Sequence, residues 1–433
     1  MSALESSSSH APAPWTCPFC PLLCDSFSVA GSEGAWVLEG SDCARARAGL
    51  SRFSPVEAPV VRAQIDGVDC EPQAAIAAAA RLLAASHQPL FGGLGTDAAG
   101  ARALYPLACR TGAICDPAGG ASLMQSLRAL QDRGAFTTTL AEVRTRADLI
   151  VCVGSMPSER YPEFLRRCGI GEEGAARLVL LQPATSQAAA PAIDGLEVVH
   201  FDADLFDTVA MLAASVAGRS VASDVAAGAL AKLADELRLA KYAVLVYEAG
   251  QMPSQAALII EAINRIVSTL NLKTRAAALP LGGGDGASTV NAVFTWLGGL
   301  PLRSRASPAG LEHEPLRFDA KRLLADGAVD ALLWIASFGS EPAPPETGLP
   351  RIVLGHPAFA DATRGSGTVF IPVSTPGIGS AGHLFRTDGS VLMPLRALRT
   401  DSLPAVADVL KRITQALQQP LHQPPHQPLE ADA

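Results

Sequence analysis

The chain has 433 residues, of which 48% are hydrophobic, 18% charged and 5% aromatic, with a formal net charge of −8. That length supplies several domains and a large core. The acidic balance, unbroken by any basic run, argues against a nucleic-acid partner, and no apolar run crosses a bilayer's thickness without meeting a charge or a Pro.

The first ten residues lack a basic segment followed by an apolar one, so they do not read as a secretory signal. Nine Cys are too few and too unevenly spread for a disulfide framework, which fits a reducing compartment. The expectation is a soluble cytoplasmic protein with no membrane contact.

In chain order, residues 1–14 are Ser- and Pro-rich and are expected to be disordered. Cys17, Cys20, Cys24 and Cys43 follow with the spacing C-x2-C-x3-C-x18-C. Short loops bring sulfurs together, and four Cys thiolates complete a four-iron cluster. Zinc accepts four thiolates too, but its structural sites usually show two C-x2-C pairs, and here one pair has that spacing. The bland alternative is four small buried residues. Between Cys24 and Cys43 the alternation around Gly31 and Gly34 predicts a hairpin. Residues 15–62 therefore read as a small β-rich Cys module held by metal.

From Pro72 the pattern changes. An Ala-rich helix opens with Pro72 at its start. Residues 89–95 read as a buried strand entering a Gly loop, and Asp97 caps a helix that runs to Gly112. Continuous apolar runs at 148–154, 177–181, 197–201, 242–247, 331–335, 351–354 and 368–373 predict strands covered on both faces. Helices are expected at 204–217, 222–240 and 254–271. This alternation implies βαβ units and several parallel sheets, an α/β fold. Residues 63–395 are assigned to these α/β domains, 396–417 to a C-terminal helix, and the Pro/Gln-rich 418–433 to a disordered tail.

The Gly-rich stretches at 92–95, 282–286 and 377–382 follow strand-like runs, where backbone amides can cradle phosphates. None carries a nucleotide-binding pattern, and a tight turn is the better reading of each taken singly. His200, His313, His356 and His383 stand apart from Cys or Glu partners and read as structural. No spacing singles out a nucleophile triad.

The Cys motif followed by many α/β units resembles the molybdopterin/tungstopterin oxidoreductases, and within them the family of formylmethanofuran dehydrogenase B subunits. The nearest branch is that of the bacterial formyltransferase/hydrolase complexes of methylotrophic formaldehyde oxidation. The resemblance runs from Cys17 to about Leu395. It is carried by the Cys loop, the stretches 91–97, 104–108 and 112–116, Gly154-Ser-Met-Pro157 with Tyr161 behind it, and the blocks 291–301, 372–382 and 385–389. It implies a multi-domain, formate-dehydrogenase-like fold with Rossmann-like parallel sheets, and a 4Fe-4S cluster on Cys17, Cys20, Cys24 and Cys43.

The departures point away from redox chemistry. Redox members carry a metal-ligating Cys, followed by His-Gly-Pro, a few residues past the Asp that resembles Asp116. Here the chain reads Asp116-Pro-Ala-Gly-Gly-Ala-Ser122, without Cys or His. A hydroxyl is a poor replacement for a thiolate on a soft-ligated metal, and the adjacent proton carrier is lost as well. Met156 stands where those members favour Asn, and Gly379 where they tend to have an acid. Cys109 and Cys115 lie upstream and would need a register shift to serve as ligand. No catalytic residue is assigned. The resemblance then implies a non-redox scaffold without molybdopterin or tungstopterin, whose partners are the other subunits of the complex and the methanofuran tail. Two alternatives stay open: an active tungsten or molybdenum subunit of formylmethanofuran dehydrogenase, and a bare iron–sulfur electron carrier.

Overall fold

The apolar runs assemble into two sheets. The computed structural model of the chain describes residues 13–32, 34–55, 61–184, 192–219 and 225–418. Leu196–Phe201, Arg177–Pro183, Leu149–Val153, Tyr242–Glu248 and Arg275–Leu281 lie side by side in that order, every neighbouring pair parallel. Tyr242–Glu248 is buried at every position, as befits a strand with helices on both faces. The chain enters at Leu149–Val153, builds outward to one edge, then returns to place Tyr242–Glu248 on the other side. The strand order thus reverses between these two strands.

This unit is inserted into a second sheet of nine strands. Its centre is parallel, in the order Ile114–Pro117, Pro89–Gly95, Ala331–Ala336, Arg351–Gly355 and Thr368–Pro372. Antiparallel hairpins close both edges, Ser304–Ser307 with Gly310–His313 and Ala63–Ile65 with Val68–Cys70. Here the order reverses between Pro89–Gly95 and Ala331–Ala336. The α/β fold with Rossmann-like parallel sheets is therefore as expected.

Three local expectations change. The Gly loop at 92–95 is strand throughout, with a register shift opposite Trp334 and Ala336. A Cβ on Gly92 would stand 2.8 Å from the Trp334 ring, and one on Gly93 2.7 Å from the Ile335 carbonyl. The glycines serve close approach of the neighbouring strand. At the front, Ala13–Trp15 pairs with Phe27–Ser32, so residues 13 and 14 are ordered, while 1–12 fall outside the described residues. The Trp15 ring is buried and its Nε1 donates to the Gly377 carbonyl at 2.8 Å. At the far end the helix is Val406–Ala416, because Pro404 keeps the residue before it out of helical geometry. The tail beyond 418 lies outside the described residues.

The Cys module is not a separate appendage. Its hairpin Phe27–Ser32 and Ala35–Glu39 and its helix Ala44–Leu50 share one apolar cluster with Ile150, Leu180, Val244 and Leu279. The module thus covers one face of the five-stranded sheet.

Candidate functional site

Cys17, Cys20, Cys24 and Cys43 are all buried and unpaired. The loop that carries three of them is shaped by its backbone: Cys17 N donates to Cys24 O at 2.9 Å, and Leu23 N to Cys20 O at 3.1 Å, with Leu23 at φ 43°. Cys43 caps the helix Ala44–Leu50 and its Sγ accepts from Ala46 N at 3.5 Å. Burial pushes the Cys17 thiol well up, and the neighbouring Cys20, Cys24 and Cys43 push it further. Burial likewise raises Cys24, and pushes Cys20 up to about 11 against the pull of nearby amides and Arg45. A bound cation is what reverses such shifts, since metal binding drives thiols to thiolates. Four buried thiols fit the donor chemistry of an iron–sulfur cluster. The fit is one of donor type alone, since among the described residues no three His, Cys, Asp or Glu side chains, these four Cys included, are grouped so as to hold a metal ion.

Beside this module lies a cleft of about 450 Å³, within the usual range for small-molecule sites. Its walls are the segments that follow the C-terminal ends of strands from both sheets. Gly119 and Ser122 follow Ile114–Pro117, Tyr161 follows Leu149–Val153, Glu248 ends Tyr242–Glu248, and Gly282–Asp285 follow Arg275–Leu281. Open α/β sheets bind ligands at this end, where the strand order reverses. The Cys module contributes Pro21 and Arg45.

The polar groups of the cleft are firmly held. Arg160 donates to Glu248 twice, from Nε at 2.7 Å and from Nη2 at 2.5 Å, and Ser155 Oγ donates to the same carboxylate at 3.2 Å. Bidentate pairs of this kind are strong and directional. Arg45 donates from Nε to Phe19 O at 2.6 Å and from Nη1 to Arg160 O at 3.3 Å, and lies 6.0 Å from the Tyr161 ring centroid. Burial, with the Glu248 charge second, raises the Tyr161 phenol. Asp285 accepts from Ser340 Oγ at 2.7 Å.

Ser122 does line the cleft, near the start of the helix Gly120–Arg133, with its Oγ donating to Gly119 O at 2.8 Å. No Cys, Met or His is among the lining residues. Cys115 sits within the strand Ile114–Pro117 and packs into the core of the nine-stranded sheet. Neither it nor Cys109 borders the cleft. Asp116 is a structural clamp: it accepts from Arg303 Nε at 2.9 Å and from Ala320 N at 2.8 Å. Met156 is buried in the module's apolar cluster. Of the three Gly stretches, 282–286 borders the cleft, while Gly377 packs on Pro18 and Leu395. Sequence reasoning misses Arg45, Arg160 and Glu248. Their signal is positional: each follows a metal-type Cys or the end of a parallel strand.

No family model matches the chain. It is 32% identical over 361 residues to the B subunit of the formyltransferase/hydrolase complex Fhc of Methylorubrum extorquens, covering 82% of this chain and 98% of the relative. It is 27% identical over 405 residues to the B subunit of the tungsten-containing formylmethanofuran dehydrogenase 2 of Methanocaldococcus jannaschii, covering 86% and 90%. Among solved structures it matches the formyltransferase/hydrolase complex FhcABCD from Methylorubrum extorquens in complex with methylofuran, with a TM-score of 0.71 and 31% identity over 82% of this chain and 98% of that one. The chain belongs to the family of formylmethanofuran dehydrogenase B subunits, within the molybdopterin oxidoreductase superfamily.

Proposed function

We propose that the chain is a non-redox scaffold, the B subunit of a formyltransferase/hydrolase-type complex in one-carbon metabolism between formaldehyde and formate. The observation that carries this reading is the donor chemistry of the cleft. Ser122 offers a hydroxyl, and no lining side chain supplies sulfur or imidazole. The residues present therefore do not fit a tungsten or molybdenum centre held by a protein thiolate, and no redox step is derived through one. Molybdopterin and tungstopterin are absent in this reading. Cys17, Cys20, Cys24 and Cys43 hold a four-iron cluster that stabilises the module. The partners are the other subunits and a methanofuran-type cofactor, and the complex works in the cytoplasm. Among the described residues no helix is long and apolar enough to cross a membrane.

The test is elemental analysis of the complex purified through this chain. Iron with neither tungsten nor molybdenum, together with stoichiometric partner subunits, is the expected outcome. Either group-six metal bound at stoichiometry overturns the reading.

One observation favours a second reading, an active subunit of formylmethanofuran dehydrogenase. The four thiols are retained and buried, as a redox relay into the cleft would require, and two relatives at 27% and 24% identity are tungsten-containing. The same metal analysis, with viologen-linked activity as a second readout, separates the two.

A further inference from the structure

The helix Ala287–Gly298 reaches the surface with Trp296, 66% exposed, and Leu297 beside it is exposed as well. A lone exposed apolar side chain needs no explanation, but a contiguous group of them marks a contact surface. Trp296 has such neighbours. Its ring meets the Phe385 ring edge to face, with centroids 5.0 Å apart and planes at 80°. Phe385 ends the first strand of the hairpin Gly382–Phe385 and Leu392–Leu395 and stands opposite Leu392 in its register. Period-2 alternation sorts the hairpin's two faces. Leu384, Met393 and Leu395 are buried in one apolar cluster, whereas Leu392 and Pro394 are exposed on the face that carries Phe385.

The face is held in place. Phe385 N donates to Thr289 Oγ1 at 2.9 Å, which fastens the hairpin to the helix that carries Trp296. Side chains fixed in advance lose little freedom on binding, and Trp and Arg are enriched among the residues that carry interface energy. The face is also one-sided in charge. The helix Ala287–Gly298 has no charged residue. The hairpin's single carboxylate, Asp388, is buried and paired with Arg386. Arg396 follows Leu395 at the next outward position, is exposed, and makes no ion pair among the described residues. A second copy laid on this face with the same face would bring no counter-charge for Arg396. The complement of the face is an apolar surface that carries an acid.

We propose that this face docks a sister subunit of the complex, with Trp296 as the buried anchor, Phe385 and Leu392 around it, and Arg396 at the rim paired with a carboxylate of that subunit. The proposal rests on the scaffold reading, which requires this chain to hold other subunits, and names the surface that does so.

The test compares complexes purified through this chain, wild type and variant. Subunit stoichiometry is read by light scattering after gel filtration, and affinity by titration against the separated partner subunits. Trp296→Ala should weaken association by about thirtyfold or more, the mark of an anchor residue. Arg396→Gln should slow association and make its rate less sensitive to salt. Leu272→Ala, at an exposed leucine outside this face, should leave assembly unchanged. Far-UV circular dichroism of each isolated variant should match the wild type, and Arg396→Gln, a surface change, keeps the test valid if Trp296→Ala misfolds. Equal loss in Leu272→Ala overturns the proposal. So does a wild-type chain that forms a dimer which Trp296→Ala dissolves. If the wild-type chain binds sister subunits and Trp296→Ala and Arg396→Gln bind them equally well, this inference alone fails. If the wild-type chain holds no other subunit, the scaffold reading fails and takes this inference with it.

Discussion

Glu341 follows the strand Ala331–Ala336 and is only 6% exposed. One carboxyl oxygen accepts from Phe338 N at 2.7 Å, and the other has no partner among the described residues. Burial, with the Asp285 charge second, pushes this carboxyl up to about 8 from an ordinary value near 4.5. The folded chain therefore keeps a proton that the unfolded chain has released. Between about pH 4.5 and 8 stability falls with rising pH, by up to about 1.4 kcal/mol per pH unit from this group. Glu341→Gln should flatten that fall, so that urea midpoints at pH 6 and pH 8 lie closer together than in the wild type. Equal slopes in the two chains would refute the assignment. Nothing in the sequence marks this residue: its burial depends on Gly95, where a Cβ would stand 2.3 Å from the carboxylate, and those two positions meet only when their strands pair. The four Cys stand out in the sequence because their spacing is local, and all four are buried. The roles of Arg45 and Arg160 do not, because they depend on a cleft built from segments far apart in the chain.

At the scale of elements the sequence is informative wherever the signal is short-range. Asp97 reads as a cap, and its carboxylate accepts from Gly100 N at 2.9 Å ahead of the helix Ala98–Thr111. The same carboxylate also accepts from His383 N at 3.3 Å, tying the helix start to the hairpin Gly382–Phe385 and Leu392–Leu395. Asp97→Ala should cost about 1 kcal/mol for the lost cap, and somewhat more for the tie. Asp97→Asn should recover most of it, as read from denaturant midpoints. A loss confined to the noise would show that the cap is redundant. The buried runs are equally plain, since Val, Leu and Ile without a polar break admit few placements other than a covered strand. The stretch at 92–95 misleads because Gly usually marks a turn. Here it admits the Trp334 ring, a contact made by a strand more than two hundred residues away.

Across the whole molecule, the Cys module and the five-stranded sheet share one apolar cluster, so the module's stability and the sheet's are linked. The helix Ala44–Leu50 carries Arg45 into the cleft and brings Gly49 against the Phe19 ring, where a Cβ would stand 2.2 Å away. Whatever holds the four thiols therefore also sets the position of the cleft's cation. If the thiols hold a cluster, removing one ligand should be felt well beyond the module. Cys20→Ser in the purified complex is expected to lose iron and to lower the melting temperature by several degrees. The secondary structure of the nine-stranded sheet, which packs around separate clusters, should persist in far-UV circular dichroism. A raised thiol that held no metal would behave differently: swapping one buried sulfur for a hydroxyl would cost local packing alone, and iron content, already nil, would not change. Comparing iron and melting temperature in the same variant thus distinguishes a metal staple from four cysteines that merely fill a core.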